Sequence, residues 1–145
     1  MPLVEFPYTP FPIPPSPPFP AGQVALRPIV AAVLTSTTGR RFRCPVCLDS
    51  GADHCVFPAA FAPHLGIDLN SLPWHFTGGV GTSQNPTYYV HLSIDLGRGI
   101  QFDSYVGFTP AMDALGMGLL GQTGFFDYYK VCFFQRQGKF TIETT

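Results

Sequence analysis

Three stretches of this 145-residue chain hold side chains whose types and spacing could do chemistry. Asp49-Ser50-Gly51 brings a carboxylate, a hydroxyl and a glycine together at the end of the apolar run that closes with Leu48. Cys44-Pro-Val-Cys47 is a C-x-x-C, and "HFTGGVGTS" at 75–83 is rich in glycine. A carboxylate held at the edge of a core can activate water or donate a proton, although Asp, Ser and Gly are also ordinary turn residues. The cysteine pair is half a zinc site or a redox motif. It has no second C-x-x-C, and in a strand its two thiols point to opposite faces, so Cys44, Cys47, Cys55 and Cys132 are expected to act as small structural residues. His54, His64, His75 and His91 lack metal-protease spacing and are expected at the surface or in packing roles. Ser50 has no G-x-S-x-G elbow, and the glycine stretch has no P-loop lysine. Asp49 remains the candidate.

The elements that must position it are mostly strands. Residues 24–34 are almost continuously apolar, "TSTTG" is a turn, and Phe42, Cys44, Val46 and Leu48 share one face of the next segment, which predicts a hairpin leading into Asp49. Pro45 belongs at an edge or bulge. "PAAFAPHLG" predicts a turn or two of helix stopped at Gly66. In "YYVHLSIDL", Tyr88, Val90, Leu92, Ile94 and Leu96 alternate with Tyr89, His91, Ser93 and Asp95, giving one buried and one wet face; "GRG" joins this strand to "IQFDSYVGF" in a second hairpin. A strand end at Gly118–Gly121, a helical turn near Phe125 and Phe126, and a closing hairpin of "KVCFF" and "KFTIE" complete the pattern. The fold class is mainly β: a small barrel or sandwich with one or two short helices.

Nine of the sixteen prolines fall in residues 1–22, read as an extended arm and not a packed element, set apart from a domain over 23–145. Its aromatic residues fit either contact with a surface, such as a partner subunit's, or a loosely held tail. A hydrophobic content of 46% provides for a core, while a net charge of -1 with 12% charged residues offers no field for nucleic acid or an anionic membrane. No apolar run is long enough to span a bilayer, and the proline-broken start, without a basic region, does not match a secretory leader. A cytoplasmic location is expected.

Leu48-Asp49-Ser50-Gly51-Ala52-Asp53, followed by "CVFP" and a short helix ending in "LGI", resembles the active-site turn of the retropepsin-like aspartic proteases. Leu119-Leu120-Gly121 before "QTGFFDYYKVCF" resembles that family's second signature, and "HFTGGVGTS" resembles its flap hairpin. The likeness spans most of residues 28–142 in the family's order. Two positions depart from the usual pattern: Gln122 stands where Arg or Asn is common, and Ser50 where Thr is more frequent.

The resemblance implies a closed retropepsin-like β-barrel acting as an aspartic endopeptidase, with no cofactor or metal. Its site would comprise Asp49, with Ser50 fixing the turn and Gly51 keeping bulk away. Ala52, Asp53, Phe76, Thr77, Gly78, Gly79, Val80, Gly81, Leu120 and Gly121 would line the peptide. Since Asp-Ser-Gly occurs once, the resemblance also implies a symmetric homodimer in which each subunit contributes one Asp49; Asp53 is more simply a structural carboxylate. The other readings are a peptide-binding module that keeps the fold without turnover, and an interaction scaffold built on the dimer and its arms.

Overall fold

The computed structural model describes residues 3–78 and 84–144. Twelve strands run in the order β1 (Leu3–Pro7), β2 (Thr9–Ile13), β3 (Gln23–Arg27), β4 (Ile29–Thr35), β5 (Arg41–Leu48), β6 (Val56–Pro58), β7 (Trp74–Thr77), β8 (Asn85–Gly97), β9 (Ile100–Thr109), β10 (Gly118–Leu120), β11 (Tyr129–Phe134) and β12 (Lys139–Thr144). The strand order β4-β5-β10-β6-β9-β8-β7 closes on itself through an added β4–β8 pairing, so six strands form a barrel and β7 extends it. A second sheet, β1-β12-β11, packs Phe6, Tyr8, Phe140 and Ile142 into the same core.

The hairpins arise where alternation meets a suitable turn. In β4, Val30, Ala32 and Leu34 are buried, facing the interior with Cys44, Val46 and Leu48 of β5. Between β8 and β9, Arg98 and Gly99 take φ of 54° and 85°, the left-handed pair that a two-residue hairpin turn needs to match strand twist. Arg98 tolerates this conformation while tied down: its guanidinium donates to the Glu5 carbonyl and lies 5.2 Å from the centre of the Phe6 ring. The turn thereby fastens the barrel to the second sheet.

The expected helix after Phe57 is a 3-10 segment, Ala59–Leu65, ended by Gly66 at φ 68°. The helical turn expected at Phe125 and Phe126 is instead a nest of turns, in which Phe126 N–H donates to Gly121 O and Tyr129 N–H to Phe125 O. Gly124, at φ 99°, interrupts the right-handed backbone that a helix needs. Among the described residues, no helix is long and apolar enough to cross a membrane.

Two further expectations change. Alternation in β8 holds from Leu92 to Leu96 but inverts nearer its start, where Thr87 and Tyr89 are buried and Tyr88 is half-buried. That half of β8 runs past the barrel to pair with β7, and the face carrying Thr87 and Tyr89 is covered by Thr77, His75 and His54. The N-terminal residues are extended but not unpacked. β1 pairs along all of Leu3–Pro7 with β12, Phe6 stacks on Phe140 at 5.6 Å, and Tyr8 meets the same ring at 5.7 Å. Pro7, Pro10 and Pro12 fit because β1 is an edge strand and β2 belongs to a two-stranded sheet. That sheet, β2 with β3, also joins residues on either side of the boundary expected after residue 22.

Phe57, Phe108, Phe125, Leu34 and Ile94 have no exposed surface, and burial pushes the Cys44 thiol up to about 12. Beneath Phe57 lies Gly118, where an added Cβ would stand 2.4 Å from the ring. We expect Phe57→Ala to destabilise the fold by ~3–5 kcal/mol through a cavity, and Gly118→Ala by ~1–3 kcal/mol through overpacking. Urea unfolding checks both, and unchanged midpoints would contradict this packing.

Candidate active site

β5 ends at Leu48, and the chain turns at once. Asp49 carbonyl accepts Ala52 N–H at 3.1 Å, and Asp49 Oδ1 accepts Gly51 N–H at 2.9 Å. The second bond is the local side-chain turn that aspartate favours, and it fixes the direction of the carboxylate. Asp49 is half-buried, with Ser50 and Gly51 exposed beside it. A Cβ on Gly51 would stand 3.1 Å from Oδ1, so glycine leaves the carboxylate room.

The turn is held from below by the end of β10. Leu120 O accepts Asp49 N–H at 2.9 Å, Gln122 N–H donates to Ala52 O at 2.8 Å, and Thr123 N–H donates to Asp53 O at 2.9 Å. Gln122 adds a side-chain bond, with Nε2 donating to Ser50 O at 2.8 Å. Gly121 sits in the joint: a Cβ there would be 2.3 Å from His54 O and 2.6 Å from Ala52 O, both backbone atoms with nowhere to go. Its N–H points at Cys55 Sγ, 3.4 Å away. The thiol of Cys55 is raised chiefly by burial, with the Gly121 N–H acting the other way.

Asp49, Ser50, Gly51, Ala52, Asp53, Leu120 and Gly121 are thus brought together. Ser50 enters through its carbonyl; its hydroxyl makes no hydrogen bond among the described residues. Leu120 is fully buried and contributes its backbone carbonyl, while Asp53 has an exposed side chain and acts through its own.

The glycine-rich segment opens within β7, which pairs antiparallel to β8 from Trp74↔Tyr88 to Thr77↔Asn85. Gly79, Val80 and Gly81 lie outside the described residues, and Gly78 is exposed at the end of β7. The two faces of β7 differ. Thr77 Oγ1 bonds Thr87 Oγ1 at 2.5 Å and His75 Nε2 bonds Tyr89 OH at 2.9 Å, on the face shared with His54. Phe76 points the other way, 58% exposed against Trp74. Side chains alternate along a strand, so Phe76 and Thr77, both expected to line the peptide, stand on opposite faces of β7.

The histidines are packing residues. His64 stacks on Phe42 at 4.6 Å, His91 meets Tyr105 at 4.6 Å, and His54 and His75 set their edges on Tyr89. The resulting cluster of His54, Trp74, His75, Tyr89 and Tyr105 borders a cavity beside the turn. Trp74 and His75 are neighbours in β7, but His54, Tyr89 and Tyr105 come from other parts of the chain, and no spacing in the sequence links them to that pair. Gln122 is legible in the sequence as the residue standing where Arg or Asn is common, but its bond to Ser50 O is not.

No protein-family model matches the sequence, and no curated protein matches it. Among solved structures, the chain is similar to a retropepsin-like aspartic protease from Rickettsia conorii, with a TM-score of 0.62 at 15% identity over 97% of this chain and 98% of that one. It also matches the EIAV protease complexed with the inhibitor HBY-793, with a TM-score of 0.46 at 18% identity over 66% of this chain and 82% of that one. The fold is retropepsin-like.

The joint at Gly121 yields a prediction. Gly121→Ala must separate the two segments and should cost ~2 kcal/mol or more, at the upper end for overpacking. Gln122→Leu, which removes one exposed side-chain bond, should cost ~0.5–1.5 kcal/mol. Thermal or urea unfolding checks the order, and a tolerated Gly121→Ala would contradict the joint.

Proposed function

We propose that this chain, with its retropepsin-like fold and single Asp-Ser-Gly turn, is one subunit of a homodimeric aspartic endopeptidase. The observation that carries the reading is the placement of Asp49: a half-buried carboxylate, aimed by the Gly51 amide, on a turn pinned through four hydrogen bonds to residues 120–123. A turn serving only to reverse the chain has no need of such fixing. A catalytic carboxylate does, because small displacements from the reacting atoms are costly in rate.

In the proposed dimer the two Asp49 side chains meet on the two-fold axis. Two carboxylates that close share one proton, since both cannot ionise cheaply. The ionised one takes a proton from a water molecule as the water oxygen attacks the peptide carbonyl carbon. The protonated one donates to the carbonyl oxygen, giving a gem-diol. The carboxyl that took the water's proton then passes it to the amide nitrogen as the C–N bond breaks, while the other carboxylate takes back a gem-diol proton, releasing amine and acid. The pair titrates as a unit. Gly51 N–H takes one acceptor position on Oδ1, and the remaining positions of the carboxylate are left for the water. Because Gly121 and Gln122 hold the turn, the carboxylate has little reorganisation left to undergo during reaction. The substrate is an extended peptide paired through its main chain between the turn and the β7–β8 hairpin.

Purified protein should cleave members of a random peptide library, and Asp49→Asn, which keeps the shape and loses the ionisable group, should fold normally with cleavage reduced by at least ~1,000-fold, as expected for loss of an acid-base group with its whole mechanism. On dilution, wild-type activity should fall faster than linearly as dimers dissociate. Undiminished cleavage by Asp49→Asn would refute the assignment, and binding of peptides without cleavage would favour the peptide-binding module.

A further inference from the structure

The hairpin formed by β2 and β3 poses a physical problem. From Thr9 to Arg27 no residue is buried, and the two strands pair only with each other. A two-stranded hairpin standing alone in water is marginal at best. Its pairing sets Pro10 opposite Leu26 and Pro12 opposite Val24. Directly opposed residues share a face, so these four form one surface without a polar side chain. All four are exposed, Val24 at 67% and Leu26 at 37%. The other face carries Phe11, itself 38% exposed, with the Arg27 guanidinium 4.7 Å from its ring centre. With no N–H at Pro10 or Pro12, the outer edge of β2 cannot take a further strand in regular pairing, so whatever covers this hairpin covers its face.

The position of the hairpin's root indicates the occupant. Pro28 O accepts Leu48 N–H at 3.0 Å, and Ile29 pairs with Cys47, so the hairpin leaves the barrel beside Asp49. A two-fold axis through the Asp49 pair sets a partner's surface against the structure bordering Asp49, and symmetry repeats the contact.

We propose that the face made by Pro10, Pro12, Val24 and Leu26 docks on a second copy of this chain, each subunit's hairpin clasping the other in the dimer that completes the Asp49 pair. The clasp rests on the dimeric reading above. Val24→Glu tests it, because that side chain stands in solvent in the single chain and its replacement leaves folding of the subunit intact, as circular dichroism will verify. Gln23→Glu adds the same charge on the opposite face and serves as the control. By sedimentation equilibrium, Val24→Glu should weaken the dimer roughly tenfold or more, the loss expected when a charge enters a buried apolar contact. Gln23→Glu should leave it unchanged. Concentrated enough to be dimeric, Val24→Glu should regain wild-type turnover per dimer. Hydrogen exchange supplies a second readout: amides within 10–26 of the wild type should gain protection as concentration rises through the dissociation constant. A dimeric wild type with equally dimeric Val24→Glu, or concentration-independent exchange in the hairpin, would overturn the clasp while leaving the shared site standing. A wild type monomeric at every concentration would overturn both.

Discussion

The close approach of Gly121 to the carbonyls of Ala52 and His54 is the constraint on which the rest of the structure depends. It allows the end of β10 to lie directly beneath the turn that follows β5, near enough for main-chain hydrogen bonds from both sides. A side chain at position 121 would push the two apart and lengthen each of those bonds. The parallel pairing of β5 with β10 leads into the joint, and the parallel pairing of β6 with β9 leaves it. Both lie in the closed barrel, where no strand can slide without breaking its neighbours' register. The direction of one carboxylate is thus set by the closure of the sheet.

Two devices protect that closure. Arg98 ties the β8–β9 turn to β1, and β1 in turn lies along β12 with Phe6 and Tyr8 sealing the lower core. The exposed ion pair of Lys139 with Glu5 joins the same two strands, although a pair so solvated adds little. Rigidity beneath the site comes mainly from aromatic packing, with Phe57, Phe108 and Phe125 wholly enclosed. Between β7 and β8 the contacts are of another kind: hydroxyl to hydroxyl at Thr77 and Thr87, and imidazole to phenol at His75 and Tyr89.

The sequence made the local features legible. Alternation and turn residues marked the β4–β5 and β8–β9 hairpins, and Asp49-Ser50-Gly51 could be singled out before any strand was placed. Contacts between distant residues were not legible. Nothing near Leu3 announces that it pairs with Glu143, and proline content argued for an arm without revealing that edge strands accept proline. The reversal at Tyr89 escaped a reading by period two because burial there depends on what covers each face, and that cover comes from β7 and His54. Gln122 stood out as a departure from a pattern; its reach to Ser50 O required the fold.

The central claim is that two copies of Asp49 form one site, and subunit mixing tests it most directly. Wild type and Asp49→Asn, combined in equal amounts and allowed to exchange, leave roughly one quarter of the dimers with two Asp49 residues. If a lone carboxylate beside an amide cannot supply both base and acid, activity should fall to about half that of the same quantity of wild-type protein alone, with all samples dimeric. Activity that stayed proportional to wild-type protein, with exchange verified by native mass spectrometry, would mean that each subunit works by itself and would contradict the shared dyad.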